Sequence, residues 1–296
     1  PKLEKIAPLL AAALPGDMQM EYYDALETRS PEVRERQQMA ALPSLIAYAK
    51  SYAPAFGELL ADVDAEAVCS RAMLAKLPVT RKSELLERQQ AQRPFGGFVG
   101  NWRGRVARVY ASPGPIYEPE GRVTDYWRTA RAMFAAGFRA GDLVHNSFSY
   151  HMTPGGWIME AGVLALGGTV FPGGVGQTEQ QVQAMAELRP DAYAGTPSFL
   201  KILLDKADEL KLDVSCVKKA FVSGEAFPPS VRDALAARGV QGYQGYATAD
   251  LGVIAYETPA REGLVADEGV IIEIVRPGTG DPVPVGEVGE VVVTSF

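Results

Sequence analysis

Four short segments of this 296-residue chain combine glycines with aromatic or polar side chains. They are Phe148-Ser149-Tyr150-His151-Met152-Thr153-Pro154-Gly155-Gly156, Pro172-Gly173-Gly174-Val175-Gly176-Gln177-Thr178-Glu179, Ser223-Gly224-Glu225-Ala226-Phe227-Pro228 and Gly245-Tyr246-Ala247-Thr248-Ala249-Asp250. Glycine lets a backbone come close to a ligand, and the aromatic or polar neighbour offers that ligand a face or a hydrogen bond. Segments of this kind hold and orient a small, flat, partly charged molecule. In the first, Phe148, Tyr150, Met152 and Trp157 gather around Gly155-Gly156, a composition that suits an aromatic acid and equally suits an ordinary core. His151 is placed to orient a carboxylate, whereas His145 is expected to pair within the sheet edge. These two are the only histidines, which excludes a multi-histidine metal centre, and no Ser-His-Asp or Cys-His arrangement appears.

The elements that must position these segments are readable from periodicity. From about residue 105, short β-branched or aromatic runs alternate with helical periods, the pattern of βαβ units and a mainly parallel sheet flanked by helices. Strands are expected at Leu143–Phe148, Thr169–Phe171, Asp191–Ala194, Ala220–Ser223 and Val240–Tyr243. Helices are expected at 155–166, 178–188, 197–210 and 228–238, the last two opening on prolines. A further helix at 121–136 places Val123, Trp127, Ala130 and Phe134 on one face and stops at Gly137. In an open parallel sheet ligands sit beyond the carboxyl ends of the strands, so all four segments are read as loops converging on one crevice.

Residues 1–104 read as a helical segment without chemical motifs: a packed helix over Ile6–Leu14, a long helix opening at Ser30-Pro31-Glu32 and kinked at Pro43, and a second unit from Asp64 to Leu86 broken at Pro78. Residues 105–254 form the α/β core. Residues 255–296 read as an antiparallel β subdomain with too few strands to be complete, so the polypeptide is expected to continue.

The balance of 29 Lys+Arg against 36 Asp+Glu, a net −7, leaves no basic field for a nucleic-acid backbone. No stretch is long and apolar enough to suggest a membrane span. Cys69 and Cys216 are distant in sequence and read as reduced, buried thiols of a cytoplasmic protein rather than a disulfide or zinc site. No Gly-x-Gly-x-x-Gly follows a first strand, which speaks against a dinucleotide oxidoreductase.

The order and spacing of these segments, from Tyr22-Tyr23-Asp24 to Glu290, resemble the phenylacetate-CoA ligase branch of the adenylate-forming enzymes. His145-Asn146, Phe148, Tyr150 and Gly155-Gly156 are similar to that family's aromatic acid-binding loop. Gly174, Gly176-Gln177-Thr178-Glu179, Thr196-Pro197-Ser198 and Gly224-Glu225 also match, and Asp281-Pro282-Val283-Pro284 with Gly286–Glu290 resembles the hairpin that follows. The resemblance implies the large N-terminal part of an AMP-forming acid-CoA ligase, which joins a small carboxylic acid to ATP with Mg2+ and passes the acyl group to coenzyme A. It implies that Ser223, Gly224, Glu225 and Ala226 line the adenine and that Gly245, Tyr246, Ala247 and Thr248 complete the nucleotide site, with Tyr246 stacked on the purine. Phe148, Tyr150, His151, Gly155 and Gly156 would receive the acid. Asp250 stands where the family carries a magnesium-binding Glu, and Ala249 replaces a Ser or Thr. The plain readings stay open beside these: a strand-to-helix turn at 223–228, a core aromatic at Tyr246 and a surface-turn Asp250.

The chain departs from the family at the phosphate loop. Where the pattern is Ser-Ser-Gly-Thr-Thr-Gly-Lys-Pro, it carries Ala111-Ser112-Pro113-Gly114-Pro115-Ile116-Tyr117-Glu118-Pro119-Glu120. Three prolines remove donors, the lysine is missing, and Glu118 and Glu120 are expected to place like charge beside phosphate. Ser112, Gly114 and Tyr117 remain as phosphate contacts, and Gly121 is read as the start of a helix. This departure keeps a second function open: a non-catalytic homologue that binds the adenylate or acid without triphosphate chemistry. The family's Arg-Thr-Gly-Asp segment and C-terminal small domain are not in the sequence, so the chain alone is expected to catalyse poorly; a homodimer stays open.

Overall fold

The computed structural model describes residues 22–112 and 115–296. The helix expected at Ile6–Leu14, and Gly114 as a phosphate contact, lie outside the described residues. Helix α1 (Pro31–Tyr52) opens as its sequence predicts, with the Ser30 hydroxyl accepting from the Val33 N–H and Pro31 in the first turn, and it runs through Pro43. After α2 (Pro54–Leu59) the unit expected at 64–86 breaks into a 3-10 turn at Ala65–Ala67, α3 (Arg71–Leu74) and α4 (Lys82–Ala91).

Strands β1 (Val106–Ser112) and β2 (Ile116–Gly121) form an antiparallel hairpin, and Gly121 ends a strand rather than starting a helix. Helix α5 (Thr129–Ala135) is shorter than periodicity indicates. Asp125 and Arg128 adopt φ of 50° and 58°, which a right-handed helix does not admit, and the Asp125 carboxylate accepts from the N–H groups of Thr129 and Ala130. Val123 is consequently exposed, while Trp127 is buried. Gly137 ends the helix at φ 89°.

The alternation then runs β3 (Leu143–Asn146), α6 (Gly155–Ala165), β4 (Thr169–Pro172), α7 (Thr178–Leu188), β5 (Ala192–Gly195), α8 (Pro197–Leu210), β6 (Lys219–Val222), α9 (Pro229–Ala237), β7 (Gln241–Thr248), β8 (Gly252–Glu257) and β9 (Leu264–Ala266). One seven-stranded sheet results, in the order β4-β3-β5-β6-β7-β8-β9, parallel through β7 and antiparallel beyond it. Its central strands are apolar on both sides because helices cover both. Ala192, Ala194 and Phe221 face a core with Trp127, Met133 and Ile158, while Tyr193, Ala220 and Val222 face another with Met185, Leu200 and Leu235. Truncating the fully buried Phe221 to alanine would cost about 3–5 kcal/mol.

Strands β10 (Val270–Val275) and β11 (Glu290–Ser295) form a second hairpin. Ile271 packs with Met39, Leu42 and Ile46 of α1, and the Gln38 carboxamide donates to the carbonyl of Val270 at 3.1 Å. The boundary drawn at residue 254 therefore cuts through β8, and the last strands share a core with α1. Cys69 is exposed rather than buried; Cys216 is half-buried and unbridged. Among the described residues no helix is long and apolar enough to cross a membrane.

Candidate functional site

At the carboxyl end of β3 the fully buried Asn146 shapes the loop that follows. Its Nδ2 donates to the Tyr150 hydroxyl at 2.7 Å and the Gly156 carbonyl at 2.8 Å, and its Oδ1 accepts from the Phe148 N–H at 3.2 Å. The Trp157 indole meets the Tyr150 ring edge-on and donates to the Tyr150 carbonyl. A Cβ on Gly156 would lie 2.8 Å from the Tyr150 ring and one on Gly155 3.4 Å from Phe148, so the two glycines make room for these aromatics. Burial, with a smaller contribution from Glu160, pushes the Tyr150 hydroxyl well above its ordinary value and keeps it protonated. Phe148, Tyr150, Gly155 and Gly156 thus come together. The His151 side chain does not join them; it is exposed, with its backbone N–H on Ser149 Oγ. His145 is interior rather than at an edge: β3 lies between β4 and β5, the ring is buried against Phe171, and Nε2 lies 2.7 Å from Gln181 Oε1. Desolvation lowers its pKa.

The loop after β6 adjoins this one. Gly224 has φ 84°, and a Cβ there would sit 3.3 Å from the Phe148 ring and 3.6 Å from Thr196. Ser223 is buried, while Gly224, Glu225 and Ala226 are exposed along the crevice. Glu225 is engaged: its carboxylate accepts from the Ser198 N–H at 2.8 Å, at the start of α8.

Gly245–Thr248, expected as a loop, is strand. Residues 241–244 of β7 pair parallel with β6, and residues 245–248 run on past the end of β6 to pair antiparallel with β8. Tyr246 and Thr248 are thereby carried beyond the carboxyl edge, and Tyr246 is 43% exposed, which is not the burial of a core aromatic. Asp250 follows in the turn before β8.

The β1–β2 hairpin joins these parts. The Ala111 N–H donates to the Met152 carbonyl at 2.9 Å, and the Arg108 guanidinium lies 4.1 Å from the Trp157 ring centre, so the hairpin rests on the β3 loop. Glu118 and Glu120, two apart on one strand face, point inward instead of meeting solvent. Glu120 takes Arg108 and the Tyr110 hydroxyl. Glu118 accepts from Ser112 Oγ at 3.1 Å and from Lys82 Nζ at 3.2 Å. Burial raises the Glu118 pKa and Lys82 opposes that rise. The same ammonium lies 3.6 Å from Asp250 Oδ1, tying α4, the hairpin and the β7–β8 turn together. The Tyr117 backbone is taken up by Gln89 through two 2.9 Å bonds.

A cavity of about 800 Å³ touches this site at Tyr117, Lys82, Glu118, Tyr246, Thr248 and Asp250. It then extends under α1 and β11 and does not reach Phe148, Tyr150 or 223–226, so this cavity is not the expected acid pocket. Sequence reasoning missed three residues that hold the site. Gln181 bonds His145 and the carbonyls of Gly174 and Gly176, Tyr193 bonds Ser147, and Lys82 reaches the hairpin from 36 residues away. The one signal was two glutamates on the same strand face, which require cations once that face is buried.

The chain is similar to known proteins over most of its length. The chain is 34% identical to the phenylacetate-coenzyme A ligase of Aromatoleum evansii, with 77% of this chain and 54% of that protein covered. It is 32% identical to the ligase of the same name from Thermus thermophilus, covering 94% and 65%. It thus spans between about half and two thirds of these relatives' length. Among solved structures, 2-hydroxyisobutyryl-CoA ligase in complex with 2-HIB-AMP and CoA superposes with a TM-score of 0.87 at 27% identity, over 96% of this chain and 65% of that one. The model of the AMP-binding enzyme family matches residues 126–295, from the turn before α5 to the last residue of β11, and the chain belongs to that family.

Proposed function

We propose that this chain carries the acid- and nucleotide-binding part of an AMP-forming carboxylic acid-CoA ligase that activates an aromatic, phenylacetate-like acid through an acyl-adenylate. The observation that carries the reading is the β1–β2 hairpin, which contacts the acid loop through Ala111 and Met152 and the Asp250 turn through Glu118 and Lys82. In this reading a carboxylate oxygen attacks the α-phosphorus of ATP and pyrophosphate leaves with the electron pair of the broken bond. The coenzyme A thiol then displaces AMP from the acyl group. The acid is its own nucleophile, so the protein orients and stabilises charge rather than supplying an attacking side chain. Phe148 and Tyr150 receive the acid, the exposed edge at Gly224–Ala226 borders the adenine, and Tyr246 offers it a face.

Among the described residues no group of three or more His, Cys, Asp or Glu is placed to hold a metal. One partly exposed carboxylate, Asp250, which now faces Lys82 at 3.6 Å, fits magnesium, which reaches a protein through one or two carboxylates and completes its shell with phosphates and water. Bound there, the cation would supply charge neutralisation of the phosphates.

The test is acid-dependent exchange of labelled pyrophosphate into ATP by the full-length protein that carries this chain, with phenylacetate compared against 2-hydroxyisobutyrate. A second reading is favoured by one observation, the Lys82 ammonium already held against Asp250: a homologue that binds adenylate without triphosphate chemistry. It requires AMP to bind as well as ATP at every magnesium concentration, with no exchange under any condition.

A further inference from the structure

The segment from Ala111 to Glu120 contains no basic residue, yet the fold brings one to it. Lys82 opens α4 at the wall where Tyr117, Tyr246, Thr248 and Asp250 meet. Among the described residues lining that cavity, the cations are Arg81 and Lys82, and Arg81 is held by Glu290. Lys82 is paired differently. Its main partner, Glu118, is buried and itself fixed by Ser112 Oγ, while the Lys82 side chain stays 42% exposed. An ammonium has three donors; one is given to Glu118 at 3.2 Å and Asp250 lies 3.6 Å away, beyond hydrogen-bond reach, which leaves donors for a ligand.

We infer that Lys82 is the cation that receives the phosphates of the bound nucleotide, and that Glu118 is the positioning residue that aims it. This rests on the nucleotide reading above and adds to it a residue from outside the phosphate segment. It also assigns Glu118 a task other than repulsion. A carboxylate buried behind the lysine fixes one end of a long, flexible side chain and so lowers the entropy lost when phosphate binds. Its own charge still subtracts from the field that phosphate meets: Lys82 with Glu118 and Asp250 sums to −1. Polyphosphate binding therefore depends on magnesium, whose charge offsets the excess carboxylate.

The experiment titrates adenosine, AMP and ATP into the full chain by calorimetry, with and without magnesium, and repeats this with Lys82→Met, Lys82→Arg and Glu118→Gln after thermal melting confirms that each variant folds. Lys82→Met should weaken ATP about tenfold or more and leave adenosine within about twofold, while Lys82→Arg keeps most of the ATP affinity. Glu118→Gln, which still accepts from Ser112 but no longer anchors the ammonium by charge, should weaken ATP severalfold with magnesium present and leave adenosine unchanged, a selective loss that a merely structural ion pair does not give. If Lys82→Met binds ATP as the parent does while adenosine still binds, the inference falls and the nucleotide reading stands. An equal loss of adenosine and ATP in a folded Lys82→Met assigns the lysine to scaffolding and also overturns it. If neither ligand binds the unaltered chain, the nucleotide reading itself falls and takes the inference with it.

Discussion

Replacing Gly156 by alanine separates the acid pocket from the scaffold that carries it. Gly156 is the second residue of α6 and has no positive φ, so alanine fits the backbone and brings about 1 kcal/mol of helix propensity. Its Cβ, however, would sit 2.8 Å from Cγ and Cδ2 of Tyr150. Ordinary contact begins near 3.5 Å, so the ring must retreat by about 0.7 Å or swing away. Either movement stretches the 2.7 Å bond from Asn146 Nδ2 to the Tyr150 hydroxyl and disturbs the edge contact with Trp157, together worth about 1–2 kcal/mol. Asn146 keeps its bond to the Gly156 carbonyl, so no buried donor is orphaned. The two effects nearly cancel in stability, and the melting temperature should move by less than about 4 °C. Acid binding has no such compensation, because the displaced ring occupies the proposed pocket: the affinity for phenylacetate should fall about tenfold or more while adenosine is unaffected. Calorimetry with the two ligands reads both. Unchanged phenylacetate affinity would remove Tyr150 from the pocket, and a melting point lowered by 10 °C or more would make Gly156 a core-packing residue instead.

Tyr246→Ala should weaken AMP about tenfold through loss of stacking, and calorimetry giving the parent affinity would take Tyr246 out of the site. Gln181→Leu should cost about 2–4 kcal/mol in denaturant unfolding and speed amide exchange over residues 173–177, because it strips the His145 ring and the carbonyls of Gly174 and Gly176 of their shared partner; unchanged exchange there would contradict it. The buried Asp125 carboxyl is pushed up to about 6, chiefly by desolvation. A group whose folded pKa is raised stabilises fully below its unfolded value of 3.8 and loses that contribution as pH climbs through 6. Stability relative to Asp125→Asn should therefore fall by at most about 3 kcal/mol between pH 4 and pH 7; a pH-independent difference would show that the Thr129 and Ala130 N–H groups cancel the burial, and a rise with pH that they outweigh it.

What could be read in the sequence is what short range decides. Pro197 and Pro229 open α8 and α9 because the ring fixes φ, and Gly137 closes α5 because glycine alone takes a φ of 89° without strain, so each acts through its own residue. The apolar runs of β3, β5 and β6 mark a sheet covered on both faces. What could not be read depends on distant partners. Gly245–Thr248 looks like a loop until β8 supplies an antiparallel neighbour. Val123–Arg128 has helical spacing, yet Asp125 turns its carboxylate onto the next helix and ends the pattern. Glu118 and Glu120 look like exposed charge because their partners, Lys82 and Arg108, lie on another helix and the opposite strand.

The bond from Gln38 to the Val270 carbonyl spans 232 residues of chain, and Ile271 completes the apolar cluster on α1. On a ribosome adding about 5–20 residues per second, that cluster waits roughly 10–50 s for its last member. Through that interval Met39, Leu42 and Ile46 have only the nearer members of their cluster, Leu60, Val68 and Leu74, while the parallel strands emerge and pair. The first long helix made is thus among the last to be sealed. A chain cut before β10 would therefore leave Gln38 without its Val270 partner and α1 without Ile271, however complete the sheet.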